Sequence, residues 1–186
     1  MKRILPALTA LLLMIVLASC TSLKVRMGEK ADFRLLPLDS VGEPLDSYQL
    51  VTGTFPGFDE GIALEAWLVW DDVSLDMMLF APTGQTMGKV VYDGNDISFE
   101  SAFIPEYRVV GLYMVADMQL CFAGSDALDA ALSESGMELE EKRVDDVLVS
   151  RCVYEDGRQV YGITYDGPVI TVSNLLRGYS YSIELL

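Results

Sequence analysis

Residues 106–122 read EYRVVGLYMVADMQLCF, and this run decides which kind of fold the chain can adopt. Plotted at 3.6 residues per turn, its apolar side chains occupy nearly the whole circumference of a helix, interrupted mainly by Asp117 and Gln119. Pro105 suits the first turn of this helix, because an N–H has no partner at that position. A helix that is apolar on every side must be covered on several sides, so the rest of the chain has to supply a large apolar surface.

A second, shorter helix is predicted directly after the first. Ser125 is a suitable N-cap and Gly136 a suitable terminator. Between them one face of the helix is apolar, formed by Leu128, Ala131 and Leu132. This second helix therefore has one face to bury, whereas the first has several.

Short strands separated by turns lie on both sides of the helices. Alternating apolar residues predict strands over 62–70, 73–80, 87–92, 147–154, 159–165, 169–174 and 179–185. Pairs such as Asp93-Gly94 and Asp156-Gly157 are typical of tight hairpin turns. The order of strands, helices and strands predicts an α+β domain in which a curved antiparallel sheet wraps the helices on its concave face.

The N-terminus has the pattern of an export signal. Lys2 and Arg3 precede an apolar block that is too short to span a bilayer, and residues 14–22 read MIVLASCTS. The tetrapeptide LASC, residues 17–20, resembles the bacterial lipobox, which implies that residues 1–19 are removed and that Cys20 carries a diacylglycerol. We therefore predict a signal peptide over 1–19, a lipidated tether over 20–45 and one domain over 46–186.

Composition excludes several classes of function. The formal charge is −15, and nucleic acid is not an expected partner, because binding it requires Lys and Arg to neutralise phosphates. The chain has no histidine, which removes Ser-His-Asp and Cys-His nucleophiles and imidazole metal sites. No metal or cofactor is expected. Cys121 and Cys152 sit among apolar neighbours, so free thiols are favoured over a disulfide bridge, although export would permit one.

Methionine and aromatic residues fill the segments that are predicted to build the interior. Methionine is flexible and suits a cavity for acyl or polyene chains, although ordinary core packing would use the same residues. Asp117, alone within an apolar helix, either hydrogen-bonds a neighbouring backbone or fixes a ligand in a cavity. The candidate ligand-binding residues are Trp67, Met77, Leu79, Tyr113, Met114, Asp117 and Met118.

Three stretches carry a family resemblance. APTGQTMGKVVYDG (81–94), MVADMQLCF (114–122) and VSNLLRGYSYSIEL (172–185), in this order behind a lipobox, resemble a family of bacterial lipoproteins often encoded beside aryl polyene and other glycolipid-type biosynthetic genes. That family is similar to LolB, the outer-membrane lipoprotein receptor, and to its periplasmic partner LolA. The residues that carry the likeness are Pro82, Gly84, Gln85, Asp117, Gln119, Leu120, Gly178 and Tyr179.

The resemblance implies an incomplete antiparallel barrel, closed by helices, with an apolar cavity for acyl chains. The predicted anchor, the helix that is apolar on every side and the missing histidines favour a lipid-anchored protein, without enzymatic activity, that binds or transfers a hydrophobic lipid or glycolipid at the periplasmic face of the outer membrane. Thr21 after Cys20 resembles the sorting signal for that membrane. The chain departs from LolB at Asp71-Asp72, a short acidic connection where LolB has a protruding loop with an exposed leucine, and no residue matches the cargo-gating arginine of LolA.

Two other functions stay open from the sequence. The surplus of acids and the isolated Asp117 are compatible with a carboxylate-dependent envelope hydrolase. An exposed sheet edge would instead suit a structural adaptor that binds another envelope protein.

Overall fold

The structure is a computed structural model that describes residues 23–54, 61–101 and 107–186. The predicted signal peptide and Cys20 lie outside these residues, as does Pro105. The strands are β1 (Lys24–Arg26), β2 (Asp32–Arg34), β3 (Leu45–Thr54), β4 (Ile62–Trp70), β5 (Leu75–Phe80), β6 (Thr86–Tyr92), β7 (Ile97–Ser101), β8 (Met137–Val144), β9 (Val147–Glu155), β10 (Arg158–Asp166), β11 (Val169–Asn174) and β12 (Tyr179–Leu185). The helices are α1 (Tyr107–Phe122) and α2 (Ser125–Glu134), and a 3-10 helix covers Leu38–Val41.

Ten of these strands form one antiparallel sheet in the order β7-β6-β5-β4-β3-β12-β11-β10-β9-β8. Strands β3 to β7 are a meander, and strands β8 to β12 are a second meander. The two meanders join where β3 pairs with β12, with Gly53 opposite Tyr181 and Leu185 opposite Gln49. In chain order α1 follows β7, at one edge of the sheet, and α2 precedes β8, at the opposite edge.

The sheet has to curl for α1 to contact both β7 and β10. In a flat sheet with strands about 4.8 Å apart, these two strands would lie roughly 34 Å from each other, whereas the 16 residues of α1 extend only about 24 Å. Helix α1 packs on β7 at one edge, and its C-terminal carbonyls accept hydrogen bonds from Arg151 on β9 and Tyr165 on β10. Helix α2 packs on β8 at the other edge. Helix α1 thus crosses the concave face of the sheet.

The predicted α+β class and antiparallel sheet are confirmed. The seven predicted strands are present with ends shifted by at most two residues. Strand β5 begins at Leu75 rather than at Val73, because the carboxylate of Asp71 accepts hydrogen bonds from the N–H groups of Val73 and Ser74 and holds them in a turn. In the described residues the sheet is not closed, since β7 and β8 are each paired on one side only.

Residues 23–41, called here the N-terminal segment, differ from the prediction. The tether predicted over 20–45 is wrong from residue 23 onward, because this segment packs against the core of the domain. It forms the β1–β2 hairpin and the 3-10 helix, and Pro37 precedes that helix instead of marking a linker. Its buried apolar side chains are Val25, Met27, Ala31, Phe33, Leu35, Leu36 and Leu38.

The two helices belong to the globular domain. Neither of them, within the residues described, is long and apolar enough to cross a bilayer. Cys121 and Cys152 are free in the structure: Cys121 is buried in α1 and Cys152 is half-buried on β9.

Candidate functional site

Six of the seven predicted ligand-binding residues lie on two elements, β5 and α1. Met77 and Leu79 are buried on the inner face of β5. Tyr113, Met114, Asp117 and Met118 lie along α1, and Asp117 and Met118 are buried.

Trp67 does not join these six residues, so its prediction as a residue of the interior is wrong. Strand β4 buries Ala66, Leu68 and Trp70 toward the core, and alternation places Trp67 on the outer face. Both faces of this strand are rich in apolar residues, so its pattern does not distinguish the inner from the outer side.

Asp117 is the centre of a buried cluster of tyrosines. Tyr161 on β10 donates a hydrogen bond to Oδ1 at 2.9 Å, and Tyr181 on β12 donates to Oδ2 at 2.9 Å. The hydroxyl of Tyr179 lies 3.0 and 3.1 Å from the two oxygens, and Asn174 donates to the Tyr161 hydroxyl at 2.6 Å. Asp117 therefore bonds to side chains of the sheet, and not to a neighbouring backbone, which was one of the two alternatives considered from the sequence.

The cluster changes the acidity of its members. Burial raises the pKa of Asp117 to about 6, and the hydrogen bonds from Tyr161, Tyr181 and Tyr179 oppose that rise because they favour the ionised form. Burial, together with the charge of Asp117, also raises the pKa values of Tyr161 and Tyr181 well above their usual range. The tyrosines therefore stay protonated and remain hydrogen-bond donors.

Polar side chains of the core hold the N-terminal segment through its backbone at Leu36. Gln119 on α1 accepts from the N–H of Leu36 at 2.8 Å and donates to its carbonyl at 3.0 Å. Tyr92 donates to the same carbonyl at 2.9 Å, and Trp70 donates from its indole nitrogen to the carbonyl of Leu38 at 2.9 Å. These contacts replace the hydrogen bonds that a neighbouring strand would otherwise supply.

Glu155 holds the other end of the same segment. Its carboxylate accepts hydrogen bonds from the backbone N–H groups of Glu29 at 2.6 Å, Lys30 at 2.9 Å and Ala31 at 2.7 Å. The Cβ that an alanine would add at Gly28 would lie 2.3 Å from a carboxylate oxygen of Glu155, so a side chain at this position would push the carboxylate away from its backbone partners. The turn between β1 and β2 is therefore shaped around one buried carboxylate.

A buried arginine ties the end of α1 to the second meander. Arg151 on β9 donates to the carbonyls of Leu120 at 2.7 Å and Ala123 at 2.8 Å, and to the carboxylate of Glu141 at 2.8 Å. A cation at the C-terminus of a helix also interacts favourably with its dipole. The arginine therefore fixes how far α1 extends across the concave face.

Three residues of the site, Arg151, Glu155 and Tyr161, were not predicted, and two of them have a recognisable sequence pattern. Arg151 and Glu155 alternate with Val153 on the inward face of β9, so two charged residues occupy positions where an apolar side chain is expected. Tyr161 has no such signal, because tyrosine is common in strands.

In the described part of the chain, buried side chains cover the inner face of the sheet. Beneath the sheet lie the buried side chains of the N-terminal segment and of α1, and no buried polar side-chain atom in the described residues lacks a partner. A pocket of about 250 Å³ opens instead at the surface beside β2, and none of the seven predicted residues lines it. Its lining is mostly charged and consists of Lys24, Lys30, Ala31, Asp32, Arg34, Glu134 and Ser135.

The described residues contain no group of His, Cys, Asp and Glu side chains that could hold a metal ion. The described residues form a curled antiparallel sheet with a helix across its concave face. One buried cluster, in which tyrosines of the sheet bond to Asp117, joins the helix to the sheet. The chain belongs to the family described as "Protein of unknown function (DUF3261)", which matches residues 46–186. No curated protein matches the chain significantly.

One solved structure with a similar backbone is the LolA superfamily protein NE2245 from Nitrosomonas europaea. It is 8% identical in sequence, with a TM-score of 0.44, and the match covers 77% of this chain and 84% of that chain. A likeness of this size carries no inference about function.

Proposed function

We propose that this protein is a lipid-anchored envelope protein that binds a hydrophobic lipid, an acyl or polyene lipid, between its curled sheet and α1, with no covalent chemistry. The observation that carries the proposal is that other parts of the chain cover the concave face of the sheet. Part of that cover is the N-terminal segment, which is held at its backbone by a few side chains. Its first described residue lies three positions after Cys20, the predicted site of lipidation.

Methionine on the inner face supports an apolar guest. Met77 on β5, Met118 on α1 and Met27 in the N-terminal segment are all buried in the same core. Methionine adapts its shape readily, because its side chain is unbranched and has three rotatable bonds. The buried apolar side chains of the N-terminal segment occupy the space in which a lipid chain would lie, so cargo enters when this segment moves aside.

A hydrolase is disfavoured by the surroundings of Asp117. Both of its oxygens accept hydrogen bonds from tyrosine hydroxyls, and the side chain is buried. The substitution Asp117→Asn is expected not to change the activity of the protein toward glycan or ester substrates. An activity that disappears with this substitution would favour the hydrolase instead.

The experiment that tests lipid binding uses the full-length protein purified from its host membrane. Saturable uptake of a fluorescent fatty acid and co-purification of a lipid, identified by mass spectrometry, are expected. The substitution Met77→Phe adds volume to the inner face and is expected to weaken uptake. Its matched control is Met78→Phe on the outer face, which is expected to have no effect. Absence of both uptake and bound lipid in the wild-type protein would contradict the proposal.

A structural adaptor is the second candidate. It is favoured by the buried side chains that cover the inner face and by two exposed aromatic residues, Tyr48 and Trp67, on the outer face of the sheet. An adaptor needs a surface for another protein rather than a cavity.

A further inference from the structure

Two exposed aromatic rings lie side by side in the middle of the sheet. Tyr48 on β3 and Trp67 on β4 are directly opposite each other in register, and they are 41% and 45% exposed. The indole nitrogen of Trp67 donates to Asp46 at 2.7 Å, and the hydroxyl of Tyr48 donates to Glu65 at 2.5 Å. Because both polar ends are bonded to the same face, the rings are held in place before any partner arrives.

Apolar side chains on neighbouring strands extend this surface. Met78 is the register partner of Trp67 on β5, and Leu50, Val69, Phe80 and Val91 share the outer face by strand alternation. All five are partly exposed. We call the surface formed by Tyr48, Trp67, Leu50, Val69, Met78, Phe80 and Val91 the outer aromatic patch.

The rim of the patch is acidic. The outer-face positions of β3 to β7 and β12 that the structure describes carry five acids and one cation, Lys89. Lys89 is already paired with Asp76 at 3.3 Å. The acids are Asp46, Glu65, Asp76, Glu100 and Glu184.

We propose that the outer aromatic patch binds a basic segment of another protein. Lys or Arg side chains would stack on the rings of Trp67 and Tyr48 and pair with the acidic rim. Aromatic centres with polar rims are typical of protein interfaces, and tryptophan, tyrosine and arginine contribute most of their binding energy. This interaction is independent of lipid binding inside the sheet.

The charge of the patch argues against two other occupants. A second copy of this chain would bring an identical acidic rim against the first, and like charges facing each other across an interface are unfavourable. An anionic membrane surface would be repelled for the same reason. A basic protein segment is the occupant whose charge complements the rim.

The test places a photo-crosslinking amino acid at position 67 of the full-length protein in intact host cells. A crosslinked product is expected in which the attached peptide belongs to a different protein and contains Lys or Arg, as identified by mass spectrometry. The matched control places the same amino acid at Val147, which is also exposed, at the β8–β9 turn. An equal yield of the same product at both positions, a product with a second copy, or no product would overturn the proposal.

Charge-reversal variants test the role of the acidic rim. The double substitution Glu100→Lys and Glu184→Lys leaves the hydrogen bonds of the two rings intact, and it is expected to lower the crosslinking yield about tenfold. The control is Glu138→Lys with Glu140→Lys on β8, which changes the net charge equally at the far edge of the sheet. An equal loss in both variants would mean that total charge, not the rim, attracts the partner.

The patch also contains its own optical reporter. The chain has two tryptophans, and Trp70 is fully buried, so quenching by an added peptide reports on Trp67. A short synthetic peptide of Lys, Arg and Leu is expected to quench the wild-type protein at lower concentration than the Glu100→Lys, Glu184→Lys variant. Equal quenching of both proteins, or quenching by vesicles of anionic phospholipid, would count against a basic protein partner.

Discussion

At the scale of single residues, the environment of Asp117 decides how the helix meets the sheet. Its carboxyl group accepts hydrogen bonds from tyrosines on β10 and β12. One side chain of α1 therefore fixes the position of the helix relative to two strands of the second meander. The sequence identifies Asp117 readily, since it is a lone acid in an apolar helix. Its partners could not be predicted, because their contact depends on how distant strands pack against α1.

The raised pKa of Asp117 predicts how stability depends on pH. A carboxyl whose pKa is about 6 in the folded protein and near 4 in the unfolded chain keeps its proton longer when folded. Its contribution to the free energy of unfolding is therefore present at low pH, falls as the pH rises from about 4 to 6, and is constant above that range. Urea unfolding of the wild type and of Asp117→Asn is expected to show a difference that falls by about 3 kcal/mol across this window.

Asp71→Asn is the control for this experiment, because Asp71 has the opposite shift. Backbone hydrogen bonds from Ser74 and Val73 lower the pKa of Asp71, so its contribution is present at neutral pH and is lost as the pH falls through that lowered pKa. The two differences should therefore change in opposite directions with pH. A pH-independent difference for Asp117→Asn would show that burial does not raise its pKa.

At the scale of elements, the N-terminal segment is the largest departure from the sequence-based expectation. Strands β1 and β2 have three residues each, too short for alternation to be recognised. The N-terminal segment is held at Ala31 and Leu36 by Gln119, Tyr92 and Glu155, which lie far away in the sequence. Strand β8 has no recognisable alternation for a different reason: in MELEEKRV only Met137, Leu139 and Val144 are apolar, and the four residues from Glu140 to Arg143 are all charged.

Gln119→Ala is expected to loosen the N-terminal segment without unfolding the sheet. It removes both hydrogen bonds to Leu36 and leaves that backbone partly unpaired, at a cost of about 1 to 3 kcal/mol. Faster amide hydrogen exchange over residues 23–41 is expected, together with greater uptake of a fluorescent fatty acid if this segment covers the lipid site. Hydrogen exchange measured by mass spectrometry on the full-length protein checks the first result.

Gln85→Ala is the matched control, because Gln85 is an exposed residue in the β5–β6 turn whose described hydrogen bond uses its backbone carbonyl. It should change neither exchange nor uptake. Unchanged exchange over residues 23–41 in Gln119→Ala would contradict the role assigned to this side chain. Faster exchange with unchanged uptake would instead separate the segment from lipid entry.

At the scale of the whole molecule, the pairing of β3 with β12 unites two meanders into one sheet. The backbones approach closely there: a Cβ at Gly53 would lie 2.3 Å from the Cβ of Tyr181 and 2.6 Å from the carbonyl oxygen of Ser180. Short hairpins on each side could be predicted from their turns, but this pairing could not. It joins strands that are separated by most of the domain, and no local pattern specifies it.

Gly53→Ala is therefore expected to destabilise the protein by about 2 to 4 kcal/mol, because the added methyl group meets backbone atoms that cannot move independently. Gly61→Ala is the control, since a Cβ at that position would only touch the carbonyl oxygen of Gly53, at 3.4 Å. The measurement is the urea midpoint of each variant. Equal midpoints for the two variants would indicate that the junction can widen freely.

The position of β12 has a consequence for biogenesis. During synthesis the first meander emerges early, yet the strand that completes its inner edge follows β11 and leaves the ribosome after the other described strands of the sheet. Until then β3 presents unpaired N–H and C=O groups, which are a template for pairing with other chains. A chaperone that shields this edge during synthesis would thus protect the nascent chain from aggregation, and the need for it would end when β12 inserts.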